Sequence, residues 1–284
     1  MHIFHESAKI IHRNKSSSNT NVYNCLLYKY AVEELEFRVR YAIDKCHSLN
    51  NIIEVGARHG IFTKVLKKIC NDKFYNTNIT ALDTSILLNQ NRWADLLYLQ
   101  SNIYDITLGI NNDAKQQSQK LYLKPDFYDM SVSILNMHWI NDVHLWLKSI
   151  NFLLKKDGVF ICSLFGENTL NNLRKYLLKL EMKYNKDNHH MHVMPFIKAS
   201  DISSLLQNSG FTNIVSDIDS LNIRYRNAKE LMLFLKSIGE NGAFYNKNVL
   251  STLPISKAMH NYIMEDRNEL IAQYDIITFI AHKV

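Results

Sequence analysis

The chain has 284 residues, 46% of them apolar and 21% charged, with a net charge of +6. That length buries a sizeable core as one α/β domain or as two smaller ones, and the composition excludes a disordered chain. The lysines are spread along the sequence without a dense basic stripe interleaved with aromatics, which argues against a nucleic-acid partner. Cys25, Cys46, Cys70 and Cys162 lie far apart and form no CxxC pair, so reduced thiols are expected rather than a disulfide frame. The start, "MHIFHESAKIIHRNK", lacks the apolar core of a secretory signal, and no apolar run approaches the roughly 20 residues that cross a bilayer. A soluble, cytoplasmic protein without a transmembrane segment is the expectation.

In chain order, residues 25–43 place Leu26, Leu27, Tyr30, Leu35, Phe37 and Val39 among charges, which predicts an amphipathic helix within an N-terminal helical arm over 1–48. "NIIEV" (51–55) reads as a short buried strand, and "IFTKVLKKIC" as a helix with Phe62, Val65, Leu66 and Ile69 on one face. "NITALD" is the next strand and "LLNQNRWADLL" the next helix, while the polar residues 111–126 form a surface loop. "YDMSVSIL" is a central strand. A helix over "VHLWLKSINFLLKKDG" is closed by Gly158, with Lys155 and Lys156 near its negative end. "VFICSLF" is a further strand, and "NTLNNLRKYLLKLE" a helix capped by Asn168 or Thr169. A helix ending at Gly210, a strand over "TNIVSDIDSLNIRY", a helix over "AKELMLFLKSIG" and a closing strand "YDIITFIAHKV" complete the chain. Strands alternating with helices predict a mostly parallel seven-stranded sheet with helices on both faces, the last two strands being an antiparallel pair at one edge.

The most informative stretch is "NIIEVGARHGIFTKVLKK" (51–68). A loop between a strand's carboxyl end and a helix's amino end lies at a natural ligand crevice, and Gly56 and Gly60 let the backbone turn and approach a ligand. Glu54 at the strand end repels phosphate and suits a ligand with a cationic amine. Asp83 ends the next strand 29 residues later, where a carboxylate accepts ribose hydroxyls. Acid, loop and second acid at this spacing point to S-adenosylmethionine more than to a nicotinamide dinucleotide. Arg58 takes the middle position where glycine is frequent. Pointing outward it is a solvated residue, and pointing inward it meets the methionine carboxylate; the outward orientation is expected.

Residues 129–170, with "HWIND", "KKDG" and "FGENTL", resemble one branch of the class I methyltransferases. This is the family of mitochondrial complex I assembly factor 5 with its bacterial relatives; neighbours include the malonyl-carrier-protein O-methyltransferases of biotin synthesis. "HVMPF" (192–196), "SIGENGAFYNK" (237–247), "SLNIRY" and the final "YDIITFIAHK" continue the likeness over almost the whole chain. The resemblance implies a Rossmann-like methyltransferase fold over 49–284, with helical insertions near 168–200 and 226–272, that binds S-adenosylmethionine. It places Glu54, Val55, Gly56, Ala57, Gly60 and Asp83 at the cofactor, with Ser133 and Leu135 beside the methionine moiety. Asn102 and Ile103 are the best match to the pair that brackets adenine. Its implied partner is a complex I subunit, at the inner face of the inner membrane by peripheral contact, and its implied activity is modification of that partner by methylation or hydroxylation.

For chemistry, His138 and Trp139 follow the fourth strand, Trp139 as a stacking surface or a packed aromatic and His138 as a general base or a structural histidine. "HHMH" (189–192) lacks the carboxylate spacing of a metal triad, so no metal is assigned and His192 alone matches the family. A small-molecule or carrier-protein O-methyltransferase and a non-catalytic binding platform remain as alternatives.

Overall fold

A computed structural model describes residues 6–16, 25–58, 60–74, 76–85, 93–99, 123–184, 192–241 and 257–284. The chain divides into two compact units. The first is Met1–Cys25, Phe165–Lys198 and Ile218–Ile276, and the second is Leu26–Leu164, Ala199–Asp217 and Ile277–Val284.

In the second unit, β1 (Asn51–Val55) lies between β2 (Asn78–Asp83) and β4 (Tyr128–Ile134), parallel to both. β3 (Leu96–Leu99) pairs in parallel beyond β2, and β5 (Leu154–Phe165) pairs in parallel beside β4. With β6 (Phe211–Tyr225) and β7 (Leu270–Lys283) the sheet order is β3-β2-β1-β4-β5-β7-β6. β1 is short and almost wholly buried because a central parallel strand has both faces covered. The order reverses between β1 and β4, so the crevice at their carboxyl ends is the topological switch point where ligands of such sheets bind.

The two faces follow from strand alternation. Val159 and Ile161 of β5 join Ile52, Met130 and Val132 in a core that also holds Leu35 and Val39 of α2 (Leu26–Asp44) and Phe62 and Leu66 of α3 (Ile61–Lys73). Phe160, between them in sequence, faces the other way. Its ring lies 5.8 Å from Trp146 of α4 (Val143–Leu153) and 5.2 Å from Phe279, and α4 packs on α6 (Ala199–Asn208). At the start of the sheet the Asp129 carboxylate accepts the backbone N–H groups of Asn50 and Asn51, both at 2.8 Å, and the Lys155 ammonium at 2.5 Å.

Several local expectations change. The helix before β5 ends at Leu153, because buried Leu154 already pairs with Tyr128 in the ladder. Asp157 takes the left-handed turn with φ 63°, and Lys155 serves Asp129 rather than a helix end. On α2 the inward face is Leu27, Tyr28, Ala31, Leu35, Arg38, Val39, Ala42 and Ile43, whereas Leu26 and Phe37 are exposed. Only residues in phase with the helical repeat reach the core. The expected arm over 1–48 is shared, α1 (Glu6–Ser16) belonging to the first unit and α2 to the second. Trp93–Asp95 lead directly into β3 without helix, the rest of that predicted helix and most of the polar loop lying outside the described residues. β6 and β7 are neighbours at the sheet's end, as expected of the last pair.

The first unit contains α1, α5 (Asn171–Tyr184), α7 (Ala228–Ser237) and α8 (Lys257–Glu265), with α7 packing on α1 and α8, and α8 on α5. Its buried polar centre is Asp275, 1% exposed, whose carboxylate accepts hydrogen bonds from Ser220 (2.6 Å), Gln273 (2.8 Å) and Asn168 (2.8 Å). Thr169 donates to the Asp275 carbonyl at 3.1 Å and accepts its N–H at 3.0 Å. Asn168 and Thr169 are therefore spent on Asp275 rather than on capping α5, and Leu170 makes the turn into that helix with φ 58°. Burial raises the Asp275 pKa, but the three side-chain donors outweigh it and hold the carboxyl below its ordinary value. Replacing Asp275 by alanine strands three donors and is expected to cost about 2–4 kcal/mol, read as a lower urea midpoint at pH 7.

Candidate functional site

The loop between β1 and α3 is built by backbone hydrogen bonds to the end of β2. Gly56 and Ala57 donate to the Leu82 carbonyl at 2.8 and 3.2 Å, and Gly60 donates to the Ala57 carbonyl at 2.9 Å. Gly56 and Gly60 have φ of 83° and 84°, and Gly60 opens α3 without a side-chain cap. At Gly56 a β-carbon would sit 2.4 Å from Cγ of Asn136, so the loop passes directly against the residue that follows β4 and Leu135. Val55 and Ala57 are buried on either side of it.

Glu54 is fully buried at the tip of β1. One carboxylate oxygen accepts the Thr63 hydroxyl from α3, and the other, Oε1, has no hydrogen-bond partner among the described residues. Burial, with a smaller contribution from the Asp83 charge, pushes its pKa up to about 8 against the pull of Thr63. Asp83 ends β2, 1% exposed. Its Oδ2 accepts the Arg58 backbone N–H at 2.9 Å and its Oδ1 the Ser85 N–H at 2.6 Å, leaving each oxygen a second acceptor position.

Arg58 overturns the outward expectation. It is 5% exposed, with φ 49°, and its guanidinium donates to the Tyr28 hydroxyl on the first turn of α2. The sequence offered no sign that α2 supplies this partner, because Tyr28 reads as an ordinary apolar position of an amphipathic helix. Thr63 and Asn136 were also missed, since neither residue type is distinctive at its position. His59, Asn102 and Ile103 lie outside the described residues.

The fourth strand brings Ser133 and Leu135 to the same end of the sheet. The Ser133 hydroxyl is committed to the Val55 carbonyl at 2.7 Å, and Leu135 turns the chain with φ 43°. The single 3₁₀ turn Met137–Trp139 then buries both His138 and Trp139 at 5% and 2% exposure, their rings 6.0 Å apart. Trp139 is thus a packed aromatic, not an open stacking surface. His192 belongs to the first unit. Its Nε2 lies 3.3 Å from Oε1 of buried Glu181, and it lines a cavity of about 120 Å³ walled by Phe165, Leu173, Phe196 and Tyr274. Glu54, Gly56, Gly60, Asp83, Ser133 and Leu135 therefore gather at the ends of β1, β2 and β4 in the second unit.

A family model described as a methyltransferase domain matches residues 28–216, well over half of the chain. The chain belongs to that methyltransferase family. The Rickettsia prowazekii protein RP459, which carries a methyltransferase name, is 31% identical over 84% of this chain and 94% of its own length. The mitochondrial arginine-hydroxylase NDUFAF5 of Rattus norvegicus is 27% identical over 90% of this chain and 71% of its own; the chain spans 60% of the Mus musculus counterpart. A malonyl-acyl-carrier-protein O-methyltransferase of Nitrosospira multiformis is 31% identical, over 39% of this chain and 34% of its own. Among solved structures, the YcgJ protein of Bacillus subtilis matches with a TM-score of 0.52 at 10% identity over 88% of this chain and 98% of its own. The CurJ carbon methyltransferase matches with a TM-score of 0.52 at 13% identity over 93% of this chain and 57% of its own. These likenesses establish the fold, a Rossmann-like class I methyltransferase. No helix among the described residues is long and apolar enough to cross a membrane.

The residues present fit the cofactor of that family. An ammonium group is the partner that the buried Glu54 Oε1 lacks, and Gly56 is required beside it because the Asn136 side chain fills the space a β-carbon would take.

Proposed function

We propose that this protein binds S-adenosylmethionine at the carboxyl ends of β1 and β2 and modifies an arginine-bearing protein partner in the assembly of respiratory complex I. The observation that carries the cofactor reading is the orphaned, fully buried Glu54 Oε1 beside the close approach at Gly56. Glu54 takes the amine, Asp83 takes the ribose hydroxyls, and Asn102 with Ile103 are the adenine neighbours. When bound, S-adenosylmethionine supplies an electrophilic methyl group on a sulfonium sulfur. The chain's contribution is to hold the amino-acid tail and sugar rigidly and to present the acceptor in line, which supplies much of the rate in such a transfer. His138, beyond β4, is the candidate to take a proton from the acceptor.

The partner reading is supported by the whole-chain likeness to arginine-hydroxylases, against 39% coverage by the malonyl-carrier-protein enzyme. Calorimetry is expected to show micromolar binding of S-adenosylmethionine; millimolar or no binding overturns the cofactor reading. Mass spectrometry of complex I from cells lacking the protein is expected to show the loss of one arginine modification. Unaltered subunits together with missing biotin intermediates would instead identify a carrier-protein methyltransferase.

A further inference from the structure

The cavity of about 120 Å³ lies wholly within the first unit, and the cofactor reading makes no use of it. Its interior is apolar. Leu173 and Leu177 lie one turn apart on α5 and share a face, Leu235 comes from α7, and Val193 and Met194 come from the chain between those helices. All five are buried, and Arg174 of α5 donates to the Met194 carbonyl at 2.7 Å, which fixes that wall. Aromatic rings form another wall, Phe165 lying 5.9 Å from Phe196 and 6.0 Å from Tyr274. Thr169 and Tyr274, the buried polar residues of the lining, spend their hydroxyls on the Asp275 carbonyl and on Tyr225.

The remaining polar groups sit where the lining reaches solvent. His192, Glu240 and Asn241 are half-buried there. Gly239, with φ 72°, makes the turn after α7 that brings Glu240 and Asn241 to this edge, and His12 of α1 donates to the Asn241 carbonyl at 3.3 Å. A void among buried leucines forfeits dispersion contacts that one larger side chain would restore. An apolar interior with its polar groups at a half-buried edge is the arrangement of a ligand pocket, not of a packing fault.

We propose that this cavity binds a small, uncharged, apolar molecule: a ring or branched chain of about six carbons with at most one hydroxyl or carbonyl at its outer end. Size sets the first limit, since a dry cavity of roughly 150 Å³ holds a benzene ring. Charge sets the second. An ion of either sign would leave its hydration shell for walls of leucine, methionine and phenylalanine. Enclosure sets the third, because a peptide offering one side chain would have to desolvate its backbone amides against an edge that is itself half-buried. The occupant is therefore a free molecule and not a partner's side chain.

Benzyl alcohol, benzoate and benzylammonium share one ring and differ in charge, and N-acetylphenylalaninamide carries that ring on a peptide backbone. Each is titrated into the full chain with isotope-labelled methionine methyl groups, read by nuclear magnetic resonance. Benzyl alcohol is expected to bind with a Kd on the order of 1 mM. Its ring current should shift Met194 and Met232, which line the cavity, and leave Met130 and Met137, buried in the second unit, unmoved. Benzoate and benzylammonium should each bind at least about tenfold more weakly. Leu173→Phe fills the void, so it should melt no lower than the parent and lose the benzyl alcohol shifts. The methionine shifts are read on the parent alone, which keeps the test decisive where that variant misfolds. Unmoved Met194 and Met232, or an ion that binds as tightly as the alcohol, overturns the proposal. N-acetylphenylalaninamide binding as tightly as benzyl alcohol overturns it too, and would make the cavity a socket for a partner's side chain.

Discussion

Glu54→Gln is expected to lower S-adenosylmethionine affinity on the order of 100-fold while making the unliganded protein more stable at alkaline pH. Both effects have one cause. The folded-state carboxyl keeps its proton to about pH 8, whereas in the unfolded chain it releases it near its ordinary value of 4.5. Between those two values the folded state binds the extra proton, so the contribution of Glu54 to stability is greatest at low pH and declines as pH rises through this window. Above it, a buried anion destabilises the free protein, and the neutral glutamine relieves that by a few kcal/mol, on the order of 3 at pH 9. Thermal melts of both proteins at pH 5 and pH 9 check the sign: the curves should lie close together at the lower pH and separate at the higher. An amine ligand supplies the missing partner and lets Glu54 ionise. Binding at pH 7 should therefore release close to one proton, measurable by calorimetry in buffers of different ionisation enthalpy. A glutamine variant that binds like the parent would remove Glu54 from the site.

Gly56→Ala is expected to destabilise the protein by about 2–4 kcal/mol. Two independent penalties act there. The φ of 83° strains any side chain, and the new methyl would overlap Asn136, with Cγ at 2.4 Å and Cβ at 2.7 Å. Neither Asn136 atom is the free end of a flexible chain, so the clash is not relieved by a rotamer change. Adding Asn136→Gly should recover roughly half of the loss, the steric part, and leave the backbone part. Urea midpoints of the two single variants and the double variant test this. Full additivity would show that Gly56 and Asn136 do not approach each other as described.

The same residues show what was legible in advance. Glu54, Gly56, Gly60 and Asp83 were readable because each sits at a punctuation mark of the β-α-β grammar, where a strand's apolar run stops and a residue type with special backbone or acceptor properties appears. The parallel sheet was readable because strand-like segments alternate with amphipathic helix patterns, the order that βαβ units impose. Asn168 and Thr169 were misassigned as caps because a local rule competes with tertiary demand, and Asp275, 107 residues beyond Asn168, claims them.

By itself the sequence determined the order of elements, the two acids and the loop that separates them, all of which depend on neighbours within a turn or a strand. Only the tertiary structure decided that Arg58 turns inward onto Tyr28, that Glu54 keeps one oxygen unsatisfied, that Trp139 is packed and that Gly56 meets Asn136. Each of those facts depends on which residues distant in the chain are brought within a few ångströms. Burial then sets whether a charge is solvated, paired or protonated, and no local pattern encodes that.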